Sequence, residues 1–181
     1  MPSRIATKLQ TVVRTIKAKI ASDGIVDPSL CFLSLQSDEE TVGRAPSDQF
    51  VKIYLEEFPA FQAGLTGGGN ELLMIEGIWV ISIFSRYAAD VDWADDSYIL
   101  DSSNGLLVKW DELLESIHMF DPTDGDGNFL LVEPMRLATG YRMVKQKPIA
   151  GWGRIGAPFE IKFQYGGLPG PASRTGEAEL D

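Results

Sequence analysis

The chain has 181 residues, a length that fits one domain, with 44% hydrophobic and 23% charged residues and a formal net charge of −10. That apolar content excludes a disordered acidic chain, and the longest apolar run, around 77–84, falls far short of the ~18 residues a membrane span needs. A single Cys and a single His exclude an intrachain disulfide framework and a histidine-cluster metal site.

The first element is a helix. Ile5, Leu9, Val12, Val13, Ile16 and Ile20 recur at three- and four-residue spacing and form one apolar stripe. Ser3 stands before this run as a candidate cap and Gly24 after it as a stop. The rest of the helix surface is basic: Arg4, Lys8, Arg14, Lys17 and Lys19 occur in residues 1–20 without one acid. Bases spread through the segment interrupt the apolar centre that a secretory signal requires.

Strands are expected next. Leu30 to Gln36 is short and apolar. From Gln49 to Glu56, Val51, Ile53 and Leu55 alternate with Lys52, Tyr54 and Glu56, the period of a half-buried strand. Between them SDEETVGRAPSD reads as a polar loop. FPAFQAGLTGGGN, with Pro59, Gly64 and the triple Gly67-Gly68-Gly69, precedes a long strand-like run from Glu71 to Tyr87, in which Gly77 suggests a bulge.

Asp90, Asp92, Asp95, Asp96 and Asp101 follow, then the turn residues 102–105. A second helix is expected over Leu106 to Met119, with Trp110, Leu113, Leu114 and Ile117 on one face. It ends at DPTDGDGN. Phe129 to Leu137 and Tyr141 to Val144 read as strands, and Phe159, Ile161, Phe163 and Tyr165 alternate with Glu160, Lys162 and Gln164 in a last one. Residues 1–165 thus read as a single α+β domain, an antiparallel sheet flanked by two main helices. Residues 166–181, rich in Gly and Pro, read as a flexible tail.

Charge is segregated along this order. Residues 21–133 carry a net −18 and residues 134–165 a net +5, against +5 in residues 1–20 and −2 in the tail. Such a chain has complementary surfaces to offer within one fold or between copies.

The motifs that mimic known chemistry fail on their details. Asp124, Asp126 and Asn128 match the first, third and fifth positions of a calcium loop. Phe129 then stands where the turn glycine belongs and Met135 where the bidentate Glu belongs. A β-turn accounts for the same residues. Asp90, Asp92, Asp95 and Asp96 are potential ligands of a divalent ion, but a two-metal hydrolase needs carboxylates from several elements. GLTGGG lacks the Lys-Ser/Thr end of a phosphate loop and leads into a strand. His118 and Cys31 have no sequence-adjacent partner and read as structural, Cys31 as a buried inert thiol. Trp152 and Arg154, set among Gly151, Gly153 and Gly156, read either as packing at a sheet edge or as an aromatic anchor for a partner.

The order of elements resembles the tail-terminator proteins of long-tailed bacteriophages. The likeness runs from RIATKLQTVVRTIKAKI through QFVKIYLEE, a glycine-bearing loop and GIWVISIFSRYAADVD to GLLVKWDELLESI. A hairpin around LLVEPMRLATGY and the closing WGRIGAPFEIKFQY complete it, over residues 3–165. The resemblance implies a structural virion protein with no catalytic residues and no cofactor. It would be a subunit of a ring, usually six copies, that caps the tail tube and stops its polymerisation. The ring would meet the head connector and let DNA pass without gripping it.

On that reading the bases Arg4, Lys8 and Lys17 serve the contact between subunits. Asp90, Asp92, Asp95 and Asp96, or Gly67, Gly68, Gly69 and Asn70, face the lumen or the tube. Trp152 and Arg154 remain candidates for an interface. Alternatives are another neck component (a head-completion or tail-completion protein), a small metal-dependent hydrolase using the 90–96 run, and a ligand-binding α+β domain.

Overall fold

The computed structural model describes residues 4–65, 71–86, 102–103, 105–139, 149 and 151–168. Helix α1 spans Arg4–Ser22, and its apolar spacing does what the sequence predicts: Val12, Ile16 and Ile20 are fully buried. Burying each such side chain contributes roughly 1.5–3 kcal/mol. The helix stops at Gly24, whose φ of +75° lets Gly24 N donate to Ala21 O at 3.0 Å and Ile25 N to Ile20 O at 3.2 Å. That 6→1, 5→2 pattern satisfies the last carbonyls and sets buried Ile25 beside buried Ile20. The candidate cap Ser3 lies outside the described residues.

A 3-10 turn at Pro28–Leu30 leads into β1, Cys31–Leu33. The expected polar loop then contains a helix, α2, at Asp38–Val42. Its signal was present at too short a range for periodicity: Ser37 accepts from the Glu40 amide, and the Glu40 carboxylate accepts from the Ser37 amide, a capping box. Strands β2 (Gln49–Leu65) and β3 (Glu71–Arg86) form a long antiparallel pair. Helix α3 covers Leu106–Ile117, β4 is the pair Arg136–Leu137, and β5 runs from Trp152 to Leu168.

The five strands lie in the order β1-β2-β3-β5-β4. The expected all-antiparallel sheet is in fact mixed, because β1 pairs with β2 in parallel, Cys31 opposite Val51. Parallel neighbours require a crossover, and the segment bearing α2 provides it. The bulge expected at Gly77 lies across the ladder instead. Gly77 pairs in register with Ile161, whereas β2 slips between Leu55 and Ala60, where Pro59 has no N–H to give.

Two other expectations are corrected. Phe129 to Leu137 is not one strand; only its last two residues pair with β5 as β4, and Val132 N donates to Lys162 O. The last strand begins at Trp152 and continues through Leu168, past the expected end at 165. The predicted strand 141–144 and residues 169–181 lie outside the described residues.

The sheet's two faces are covered differently. Val51, Ile53, Ile75, Trp79, Ile81 and Ile83 join Ala157, Phe159, Ile161 and Phe163 in the main core with α1 and α3. The opposite face carries Phe50 and Phe84, both fully buried, stacked at 4.7 Å between ring centroids. The result is an α+β fold: a five-stranded mixed sheet with two main helices packed against it.

Candidate functional site

Three features stand out: an internal charge cluster and the two dissimilar edges of the sheet. The cluster forms where α2 meets the face opposite α1. Asp38, the first residue of α2, accepts from Lys52 Nζ at 2.9 Å and from Arg154. Lys52 also donates to Gln36 O at 2.6 Å, and Arg154 donates to Ser82 Oγ at 3.0 Å. The Arg154 guanidinium lies over the Phe84 ring. Burial lowers the Arg154 pKa from its ordinary value, and the Asp38 charge opposes that. Lys52 is only 3% exposed, and a buried cation left without a carboxylate beside it is strongly destabilising.

The β1 edge carries an apolar groove of about 630 Å³. It exists because β1 ends at Leu33 while β2 runs on for twelve residues past Ile53, the last residue paired with β1. Leu33, 44% exposed, and Leu55 form the sheet side, Leu9 and Val13 of α1 form the helix side, and Trp79 lies between them. The Trp79 indole N–H is buried with no acceptor among the described residues. Arg14 and Lys17 are the charged residues of the lining, and neither forms an ion pair with a described residue.

At the other edge, residues 129–138 run along β5 and end in β4. Leu130, Leu131 and Met135 point into the core and are buried, whereas Phe129 is 69% and Val132 45% exposed. Acids flank them in sequence, Asp121, Asp124, Asp126 and Glu133, with Arg136 the one base in this stretch, paired with Glu133 at 3.8 Å. Asp124 is held in place by accepting from the amides of Asp126 and Asn128, both at 2.9 Å, and from Asn128 Nδ2. The Asn128 bonds hold its carboxyl below the usual carboxylate range. DGDGN is therefore a turn, with its first acid facing inward as an acceptor and Gly127 at φ +82°.

The residues singled out from sequence fall in different places. Lys17 lines the groove. Lys8 is half-buried with its ammonium 5.9 Å from the Phe163 centroid, and burial lowers its pKa. Lys19 pairs with Asp23 at 2.7 Å. Arg4 begins α1. Trp152 opens β5, and its ring packs 5.4 Å from that of Phe50. Arg154 is engaged within the chain by Asp38 and Ser82. Gly67, Gly68, Gly69 and Asn70, and Asp90, Asp92, Asp95 and Asp96, lie outside the described residues.

His118 follows α3, where its Nδ1 faces the Leu137 amide at 3.4 Å. Among the described residues no three His, Cys, Asp or Glu side chains converge on a common point, and no helix is long and apolar enough to cross a membrane. Sequence reasoning missed Asp38, Lys52 and Ser82, the apolar groove, and exposed Phe129. The Ser37–Glu40 capping box was a usable signal for the first; the groove has none, because it follows from where β1 stops. No known protein family matches the sequence, and no curated protein matches it either.

Proposed function

We propose that this chain is a ring-forming structural subunit of a bacteriophage virion, with a tail-terminator-like fold. In this reading six copies form a ring that caps the tail tube and ends its polymerisation. The same ring joins the tail to the neck connector and leaves a lumen through which DNA passes without specific binding. The subunit works in the virion's neck and assembles in the host cytoplasm. It is not an enzyme, it needs no cofactor, and its partners are its own copies, the tube protein and the connector protein.

The observation that carries this reading is the order of elements: a basic amphipathic helix, a long antiparallel strand pair, a second amphipathic helix and a closing strand. It is the order by which the sequence resembles tail terminators. The mechanism is geometric. A head-to-tail ring uses two different surfaces of each subunit, and the rotation between copies fixes their number. Acidic side chains toward the lumen would repel phosphate, so that a duplex slides past; the 90–96 run or the 67–70 loop is assigned to the lumen or the tube-facing side. Another neck component, a head-completion or tail-completion protein, is the alternative within the same class.

Electron micrographs of the purified protein, with light scattering, test the proposal. Rings of uniform diameter, and shorter tubes when the protein is added to polymerising tube subunits, are expected. A monomer that persists at high concentration and leaves tube length unchanged overturns it.

A further inference from the structure

The two edges of the sheet are complementary, and we infer that the Phe129-bearing edge of one copy docks in the α1–β1 groove of the next. The inference rests on the ring reading and names its subunit contact. The strand order places the two surfaces at opposite ends, β1 at one and β4 at the other, the arrangement that a heterologous head-to-tail contact requires. One end is a concave apolar groove whose charged residues are both basic, Arg14 and Lys17. The other is apolar at Phe129 and Val132, in a stretch, 121–138, that carries four acids, Asp121, Asp124, Asp126 and Glu133, against one base, Arg136, which lies 3.8 Å from Glu133.

Each surface is individually unusual. A Phe left 69% exposed, beside a Val in the same state, is an apolar patch of the kind that marks interaction sites. Its position is held by the chain on both sides: Thr123 bridges to Phe129, Leu130 N donates to Pro122 O at 2.9 Å, and buried Leu130 and Leu131 anchor the backbone. An anchor presented in fixed geometry loses little entropy on docking. The groove supplies what such an anchor needs, an apolar recess between Leu33, Leu55 and Val13. Arg14 and Lys17 meet the acids at its margin, where charge sets orientation and excludes wrong partners more than it adds affinity. A second copy is the occupant that satisfies both ends at once.

The test uses the whole chain and two reversed variants. Arg14→Glu/Lys17→Glu reverses the groove; Asp126→Lys/Glu133→Lys reverses the edge. In sedimentation, wild type assembles and each variant alone stays monomeric. An equimolar mixture of the two variants regains assembly, because every acidic groove then meets a basic edge and every basic groove an acidic one. Phe129→Ala, at the opposite end from the groove, weakens association about thirtyfold or more, the loss expected for a buried aromatic anchor, and it carries the test if the groove variant does not fold. Assembly by Arg14→Glu/Lys17→Glu alone, or no recovery on mixing, overturns the contact while wild-type rings keep the ring reading. A monomeric wild type overturns that reading, and the contact with it.

Discussion

Asp38 and Arg154 share an ion pair across 116 positions of sequence, tying the first residue of α2 to the third residue of β5. Lys52 Nζ joins the same carboxylate at 2.9 Å, so one acid stands between two cations on the sheet face opposite α1. That arrangement is what holds the crossover between β1 and β2 against the Phe50–Phe84 stack. Replacing Asp38 by Ala leaves Lys52 buried without a counter-charge, and breaking a buried pair in this way costs about 3 kcal/mol. Urea unfolding of Asp38→Ala should show that loss in the midpoint with little change in slope. The double variant Asp38→Ala/Lys52→Met should recover part of it, since one of the two stranded cations, Lys52 and Arg154, is then gone. An unchanged midpoint in the single variant would show that the cluster contributes nothing to stability.

Gly156 and Ser82 are partners in the β3–β5 register, and the sheet tolerates no side chain at the former. A Cβ at Gly156 would come within 2.1 Å of Ser82 Oγ and 2.9 Å of Ser82 Cβ, distances at which something must move. The same Ser82 hydroxyl accepts the Arg154 bond. Gly156→Ala should therefore destabilise by about 1–3 kcal/mol, the usual cost of overpacking. Ser82→Gly in the Gly156→Ala background removes both clashing atoms and should restore part of the loss. Thermal unfolding of the two variants side by side is the measurement. Additive losses in the pair would mean that contact with Ser82 is not the cause.

What the sequence revealed and what it hid divide along a physical line. Elements with a sustained period were legible: the α1 stripe through Val12, Ile16 and Ile20, the α3 face at Leu113 and Ile117, and the alternation of Phe159, Ile161 and Phe163 all describe one local structure and one buried side. Elements whose identity depends on a distant partner were not. The parallel pairing of Cys31 with Val51 follows from the path of the crossover, and the stretch 129–137 has strand-like residues and runs beside β5 but joins its ladder only at Arg136 and Leu137. The role of Arg154 was hidden for the same reason. Nothing near it in sequence shows that Asp38 comes to meet it, so a residue that reads either as sheet-edge packing or as an anchor for a partner is engaged inside the fold.

The acidic turn gives a prediction in pH. Asp124 is held below the usual carboxylate range chiefly by the Asn128 side chain and amide. A carboxylate with a lowered folded pKa contributes stability that is present above its unfolded pKa and lost as pH falls through the folded one. Asn128→Ala should raise the Asp124 pKa toward its ordinary value, read from the carboxyl carbon shift in an NMR titration. The variant should also lose the acid-side part of that contribution. Equal Asp124 titrations in wild type and variant would show that Asn128 does not set it.

Cys31 supplies a probe of the β1 edge itself. Its side chain is fully buried, and burial pushes the thiol up to about 12, with a smaller opposing influence from the Lys17 charge. Only the thiolate reacts, so at pH 8 such a thiol is ionised in about one part in ten thousand, and burial denies a reagent even that fraction. The native protein should resist an aromatic disulfide reagent that labels the urea-unfolded chain completely. The denaturant dependence of residual labelling then distinguishes two routes. Cys31 belongs to the same core cluster as Ile16, Ile20 and Val51, so exposing it should require undocking α1, and labelling should rise with the slope of global unfolding. A labelling rate insensitive to urea would instead report local opening of β1, three residues long and paired on one side only. It would mean that β1, whose Leu33 lines the groove, opens independently of the core. Rapid stoichiometric labelling in the absence of urea is the result that contradicts the buried placement altogether.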